Sequence, residues 1–398
     1  MFAYRKQPWK ALYLTFQLTS LLVRIPLWSL FLLIPRFRPC SEWSFAHAVM
    51  VFAIKQVTEI FSNTGEFLPV PDHRTIKPAT RAKGVWVDAA AHAIVGDLVH
   101  WACIAGVQPE RIPGYWHRRV GVNLEHDSPA QKGEKVIYRI HGGGFVQLSA
   151  HPSDFAANID RCLIEHVEAA PRSFSIEYRL ASAAPFSQRF PFPAALLDAL
   201  AGYVYLVKTI GFDPSNIVVV GDSAGGNIAF SLVRYLVEYR SDSGGNVPAP
   251  PGSLILLSPW VDLSTSHEIP GSSTLVNTTD FVGPENQTRN FYSKVAYAGP
   301  LGLEFITTSR YTSPACLYSS YPSNFYGFPR TLLVCGKLER FRDAIRTLKE
   351  KMSSDMGEGD GDGQVTLLEV EKSVHNFLIF NWHPQRDRTI AYIRKWLQ

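Results

Sequence analysis

The run Gly221-Asp222-Ser223-Ala224-Gly225-Gly226-Asn227 follows directly on Asn216-Ile217-Val218-Val219-Val220 and leads into a helix-compatible stretch, Ile228 to Val237. An apolar strand that turns at once into a helix through Gly-x-Ser-x-Gly lifts its serine hydroxyl above a sheet edge at strained backbone angles. The glycines two residues either side are needed because a Cβ there would strike the neighbouring strand or helix. The chemistry open to such a serine is nucleophilic acyl transfer. That chemistry demands a base, an acid to hold the base, and donors for an oxyanion.

A second motif lies upstream. Lys135-Val136-Ile137-Tyr138-Arg139-Ile140 reads as a buried strand and ends in His141-Gly142-Gly143-Gly144-Phe145. Adjacent glycines after a strand let backbone N–H groups point into open space, where they hold a developing negative oxygen. Either motif alone is compatible with an ordinary Gly-rich turn. Two of them, each after a strand and about eighty residues apart, argue for catalysis.

With these motifs in view, the chain resembles the α/β-hydrolase superfamily in its hormone-sensitive-lipase-like esterase branch. The resemblance rests on His141-Gly142-Gly143-Gly144; Tyr178-Arg179-Leu180-Ala181; Phe192-Pro193-Ala194-Ala195-Leu196 with Asp198; Gly221 to Asn227; Ser258-Pro259-Trp260-Val261-Asp262-Leu263-Ser264; and Val374-His375-Asn376-Phe377. These stretches stand in the family's order and cover roughly residues 80 to 398. One departure is visible. The family's Tyr-Arg-Leu-Ala-Pro-Glu ends here in Ser182 and Ala183, which leaves catalysis untouched and points to different loop packing behind the oxyanion strand.

The family's chain order is serine, acid, histidine. Only His267, His375 and His383 follow Ser223. His375 lies just after the strand-like Gln364 to Val370 and ahead of the final helix, and Val374-His375-Asn376-Phe377 resembles the family's base motif. His383, in Asn381-Trp382-His383-Pro384, is the reserve candidate. The resemblance places the acid three residues after Gly336, at Glu339, beyond the strand Thr331 to Cys335; Asp343, one helical turn later, competes with it. The acid accepts the imidazole N–H and stabilises the imidazolium. The backbone N–H groups of Gly143, Gly144 and Ala224 are the expected oxyanion hole. Asp222, Asn227 and the Trp260–Asp262 segment read as scaffold.

The 398 residues, 46% hydrophobic and 19% charged, suffice for one large core and a cap. A net charge of +4, without basic clusters interleaved with aromatics, makes nucleic acid an unsuitable partner. Five scattered cysteines without Cys-x-x-Cys spacing argue against a disulfide framework and against zinc. No metal and no cofactor are expected. Glu358-Gly359-Asp360-Gly361-Asp362-Gly363 with Glu369 loosely imitates a calcium loop, but strand-like residues flank it where that loop needs helices, so it reads as a solvated turn.

To position these residues the chain alternates strands and helices. Arg81 to Ala89 and Glu110 to Asn123 read as antiparallel strands, Pro152 to Glu168 and Phe192 to Ile210 as helices, and Thr389 to Leu397 as the last helix. The expected fold class is α/β, a mostly parallel doubly wound sheet with an α-helical cap. The expected domains are an N-terminal cap or anchor segment, 1–75, and a catalytic domain, 76–398, interrupted by a cap-type insertion at 265–320. In related enzymes such segments cover the serine. The aromatics Trp43, Phe45, Phe52, Phe61, Phe67, Phe281, Phe291, Tyr292 and Tyr297 would then line an apolar pocket or pack the cap to the core.

Residues 11–34 are long enough to span a bilayer and are flanked by Arg5, Lys6 and Lys10 on one side and Arg36 and Arg38 on the other. Arg24 in the middle and a kink at Pro26 favour a membrane-lying anchor over a clean span, and a cap helix buried on the domain is the equal alternative. No small-residue cleavage site follows, which disfavours a removable signal peptide. Two locations follow: membrane-associated, as at the endoplasmic reticulum, or cytoplasmic. The sequons at Asn277 and Asn286 matter only for a lumenal domain.

The expected function is a serine carboxylic ester hydrolase acting on short- to medium-chain acyl esters of a hydrophobic alcohol, a sterol or a secondary metabolite. The pattern is similar to fungal esterases of secondary-metabolite pathways. The alternatives are a lyase or acyltransferase of the same fold, and a non-enzymatic small-molecule receptor, against which His375 counts. The expected partner is a small-molecule ester, with membrane-surface contact through residues 11–34.

Overall fold

Unbroken β-branched and leucine-rich runs cannot face water on either side, so they become central strands. Ile217–Asp222 is buried at all six positions and Ser253–Leu257 at all five. The computed structural model describes residues 2–65, 72–122, 124–241, 244–284, 289–318 and 324–398. Among these the strands are β1 (Ala82–Val87), β2 (Ile112–Arg118), β3 (Val136–Ile140), β4 (Arg172–Ile176), β5 (Ile217–Asp222), β6 (Ser253–Leu257), β7 (Arg330–Gly336) and β8 (Val365–Val370). They form one sheet in the order β1-β2-β4-β3-β5-β6-β7-β8. β2 is antiparallel to β1 and β4; the remaining pairs are parallel.

Helices α1 (Trp9–Leu32) and α2 (Phe45–Thr64) precede the sheet. Then come α3 (Asp97–Ala105), α4 (Asn158–His166), α5 (Ala194–Val204) and α6 (Ala224–Tyr239). The insertion contributes α7 (Ser273–Val276), α8 (Arg289–Ala298) and α9 (Gly302–Thr308), and α10 (Arg342–Met356) and α11 (Arg386–Trp396) close the chain. Strand alternation sorts the two faces: Val219 joins the core under α3, α5, α6 and α10, while Val218 and Val220 join the core under α4 and α11. This is the doubly wound α/β architecture the motif order predicts.

Several expectations change in detail. The helix expected over Phe192–Ile210 is α5 followed by wider π-helical turns at Tyr205–Ile210. Residues 265–320 show no clear periodicity in sequence, yet their described part carries three α-helices, of which α8 packs through Tyr292 and Ala296 onto Phe2, Val146 and Ala183. Ala183 is where the family motif has glutamate, and here that position is apolar and buried against Phe2 and Tyr292. Helix α1 is one helix, Trp9–Leu32, with Pro26 inside it. The acidic Glu358–Gly363 run is a turn leading into β8, with Glu358 bridging to Val365 and Glu369 paired with Arg346 at 2.6 Å.

Candidate active site

Every candidate residue sits past the carboxyl end of a parallel strand, where loops from different strands converge. Ser223 follows β5 at φ 52° and ψ −121°, an uncommon conformation for a residue with a side chain. The neighbouring β6 end holds this strained turn: Ser223 N–H donates to Leu257 O and Trp260 N–H donates to Ser223 O, both at 3.0 Å. Gly225 permits the helix to lie against β3, since a Cβ there would stand 2.3 Å from the carbonyl oxygens of Ile140 and His141.

The Gly-rich loop after β3 is shaped by Asp222. Its Oδ1 accepts the Gly142 N–H at 2.9 Å and the Arg139 guanidinium, and its Oδ2 accepts the Asn376 side-chain amide. One buried carboxylate therefore links the Gly142–Gly144 loop, the Ser223 turn and the His375 loop. Gly143 adopts φ 109°, and a Cβ on it would come within 2.1 Å of Gln147 O. Gly143 and Gly144 line the same cavity as Ser223 and His375. Ala224 opens α6, so its N–H is among those a helix leaves without an internal acceptor.

His375 Nε2 lies 2.9 Å from Ser223 Oγ. The imidazole is held edge-on between Phe341 and Phe281, with ring centroids at 5.0 and 5.8 Å. Its backbone N–H donates to Asp280 Oδ1 at 3.2 Å. Glu339 is fully buried and its Oε2 accepts from Ser258 Oγ at 2.6 Å and from Gly336 N–H at 2.9 Å. Ser258 Oγ in turn accepts the Asn376 N–H at 3.0 Å, which ties Glu339 to the residue after the histidine. Glu339 Oε1 is buried and accepts no hydrogen bond among the described residues. Burial pushes the Glu339 carboxyl up to about 8, opposed by the Ser258 donor and reinforced by the nearby Asp280 charge.

The competing candidates stand elsewhere. Asp343 accepts Ser273 N–H at 2.7 Å and orients α7. His383 packs edge-on against His47 with centroids 4.8 Å apart, and burial pushes its pKa down to about 3. His267 bonds Asp262 at 2.6 Å and Thr347 at 2.9 Å. Asn227 acts as scaffold, its side-chain amide donating to Trp260 O and Thr312 O. Sequence reasoning missed Ser258, Asn376 and Asp280 as site supports. The first two lay inside recognised motifs; Asp280 lies in the insertion and had no sequence signal at all.

A cavity of about 1590 Å³ opens over Ser223. Of the nine aromatics expected to line a pocket or to pack, Phe52, Phe61 and Phe281 line it. Trp43 and Phe45 pack instead with Leu32 and Val374, where Trp43 Nε1 donates to Lys372 O at 2.8 Å. Tyr292 packs on Phe2, Tyr297 stacks on Phe145 at 3.8 Å, and Phe291 is surface-exposed; Phe67 lies outside the described residues. Phe341, Phe380, Trp260 and Tyr115 line the cavity in their place. Among the described residues no group of three or more His, Cys, Asp or Glu side chains could hold a metal ion. The Asn277 amide donates to Lys337 O and Glu339 O, so this sequon is engaged in holding the acid loop; Asn286 lies outside the described residues.

Comparison with known proteins bears on the fold and the family. The α/β-hydrolase fold family matches residues 137–379, more than half of the chain. An esterase of Acinetobacter venetianus is 24% identical over 279 residues, covering 69% of this chain and 78% of its own. Steryl acetyl hydrolase 1 of Saccharomyces cerevisiae is 30% identical over 135 residues, 34% of this chain; the match spans only 28% of the yeast protein's length. Among solved structures, an esterase of the bacterial hormone-sensitive lipase family superposes with a TM-score of 0.55 at 21% identity, covering 92% of this chain and 95% of the other, a likeness of fold. The chain belongs to the α/β-hydrolase fold family, as a carboxylesterase- or lipase-like hydrolase.

Proposed function

We propose that the chain hydrolyses carboxylic esters through a covalent acyl-enzyme. The observation that carries this reading is the 2.9 Å contact between His375 Nε2 and Ser223 Oγ at the floor of the cavity. Ser223 Oγ attacks the acyl carbon while His375 takes its proton. The N–H groups of Gly143, Gly144 and Ala224 hold the oxyanion. His375 returns the proton to the leaving alcohol; it then deprotonates a water that cleaves the acyl-serine, and the proton goes back to Oγ. Glu339 Oε1 is the atom left to accept the imidazole N–H as positive charge develops.

The substrate is a short- to medium-chain acyl ester of a hydrophobic alcohol, such as an acetylated sterol or secondary metabolite. Aromatic walls from Phe52, Phe61, Phe281, Phe341 and Phe380 and the cavity's size support a bulky apolar alcohol. The name of the yeast steryl acetyl hydrolase supports an acetyl group. Helix α1 supports contact with a membrane surface. Leu22, Phe16, Leu18 and Leu30 are each more than 60% exposed, while Arg24 turns inward to Gln56 Oε1 at 2.7 Å. By length and composition both α1 and α2 could cross a membrane. We read α1 as lying on one, since its single interior cation is paired with α2.

Turnover of p-nitrophenyl acetate and of a steryl acetate, with Ser223→Ala as control, tests the reading. Loss of a triad nucleophile costs on the order of 10⁶-fold in kcat. Fluorophosphonate labelling of the peptide carrying Ser223 should accompany activity. Equal turnover by parent and variant would overturn the serine mechanism. Acyl transfer to an added alcohol, without hydrolysis, would replace it with an acyltransferase.

A further inference from the structure

Among the residues by which the 265–320 insertion meets the site, Asp280 is the one whose carboxylate holds backbone of both the His375 and the Glu339 loops. It is 2% exposed and lies between α7 and α8, outside every recognised motif. Its Oδ1 accepts the His375 N–H at 3.2 Å and its Oδ2 accepts the Arg340 N–H at 2.9 Å. A carboxylate accepting two backbone donors from different loops fixes the separation of those loops, and charge-assisted bonds are the strong ones. The loops here are the one carrying His375 and the one carrying Glu339, whose next residue is Arg340. Two cations face Asp280: the Arg340 guanidinium and Lys55 of α2. The Lys55 ammonium also donates to Thr278 O, two residues from Asp280.

We propose that Asp280 is a positioning residue for the reaction, setting the His375 backbone so that the ring reaches Ser223, and that Lys55 of the N-terminal helix pair steadies it. The proposal rests on reading His375 as the base. It makes the base depend on the insertion and on α2, two segments that also line the cavity through Phe281 and through Phe52. Assembly of the cap and readiness of the base are thereby one event. The nearby negative charge also favours the imidazolium; Lys55 and Arg340 oppose that effect, and Glu339 adds to it only once ionised, above about 8. Burial raises the Asp280 carboxyl to about 6, opposed by the Arg340 and His375 N–H donors, which leaves it charged at neutral pH.

The test uses the full chain. Asp280→Asn keeps the shape but removes the charge and one acceptor oxygen. Expected is a fall in kcat of about 10²-fold with KM nearly unchanged, as for a small misplacement of a catalytic group. The acid limb of kcat/KM should move to lower pH, because removing a negative charge lowers every macroscopic proton-binding step of the His375–Glu339 pair. Lys55→Met, a change on a partly exposed helix face, should move the same limb to higher pH. An unchanged limb in a folded Asp280→Asn overturns the proposal, whatever happens to kcat. Should Asp280→Asn not fold, the Lys55→Met limb decides alone: moved supports the proposal, unmoved overturns it. NMR titration of the His375 ring in the Ser223→Ala background reads the same shifts without turnover. A failure of the ester-hydrolase reading is thus separable from a failure of this one.

Discussion

The Ser258 hydroxyl joins the Glu339 loop to the His375 loop: it donates to Glu339 Oε2 at 2.6 Å and accepts the Asn376 N–H at 3.0 Å. Its removal leaves a buried carboxyl with one donor fewer. Ser258→Ala should cost about 1–3 kcal/mol in denaturant unfolding. The Ser258 donor lowers the Glu339 pKa, so its loss should carry the acid limb of kcat/KM to higher pH. Ser258→Thr, which keeps the hydroxyl, should retain the parental limb.

Glu339→Gln should separate activity from stability. Acid-to-amide change in such a triad costs on the order of 10⁴-fold in kcat, because the imidazole loses its tautomer lock. The folded chain holds the Glu339 carboxyl at about 8 against an ordinary value of 4.5. Between those values the unfolded chain ionises first, so Glu339 costs stability as pH rises. The amide has no such dependence. Thermal scans should show the variant gaining on the parent from pH 4.5 to 8.

Asp222 neutralises Arg139, and both are essentially without solvent exposure. Asp222→Ala removes the closer of the two carboxylates around that buried guanidinium and leaves Asp160 at 4.0 Å, so the loss should approach the about 3–5 kcal/mol of a broken buried pair. Denaturant melts should show that loss. Activity per folded molecule should also fall, since Gly142 and Asn376 lose their common acceptor.

Gly143→Ala brings a methyl group against Gln147 O in a backbone conformation that side chains avoid. The loop must shift, taking its N–H away from the oxyanion. A fall of about 10²–10³-fold in kcat, with KM little changed, is the signature of a lost oxyanion donor. Steady-state kinetics on a p-nitrophenyl ester checks it.

Helix α1 should carry the chain to lipid. Flotation with vesicles containing anionic lipid should recover the parent, and salt should weaken recovery through Arg5, Lys6, Lys10, Arg36 and Arg38. Leu22→Glu, at a position 77% exposed, should reduce flotation without changing turnover of a soluble ester.

The residues of one sequence already determined the sharp turn at Ser223, the Gly-rich loop, the placing of Glu339 and His375 in loops past β7 and β8, and the alternation that builds a mostly parallel sheet. Each is a local pattern: a β-branched run cannot face water, and a glycine cannot be replaced where backbones touch, as at Gly225 against Ile140 O. The cap was not legible in this way. Its helices present mixed faces, and which aromatics meet the cavity and which pack depends on packing angles that no periodicity encodes: Phe281 lines the cavity while Trp43 and Tyr292 pack. Only the tertiary structure decided that Asp280 would meet the His375 N–H, 95 positions away, and that Ser258 would bridge to Glu339 across 81. Long-range pairs between loops arise from how strands order themselves in the sheet, and a linear pattern carries no record of that order.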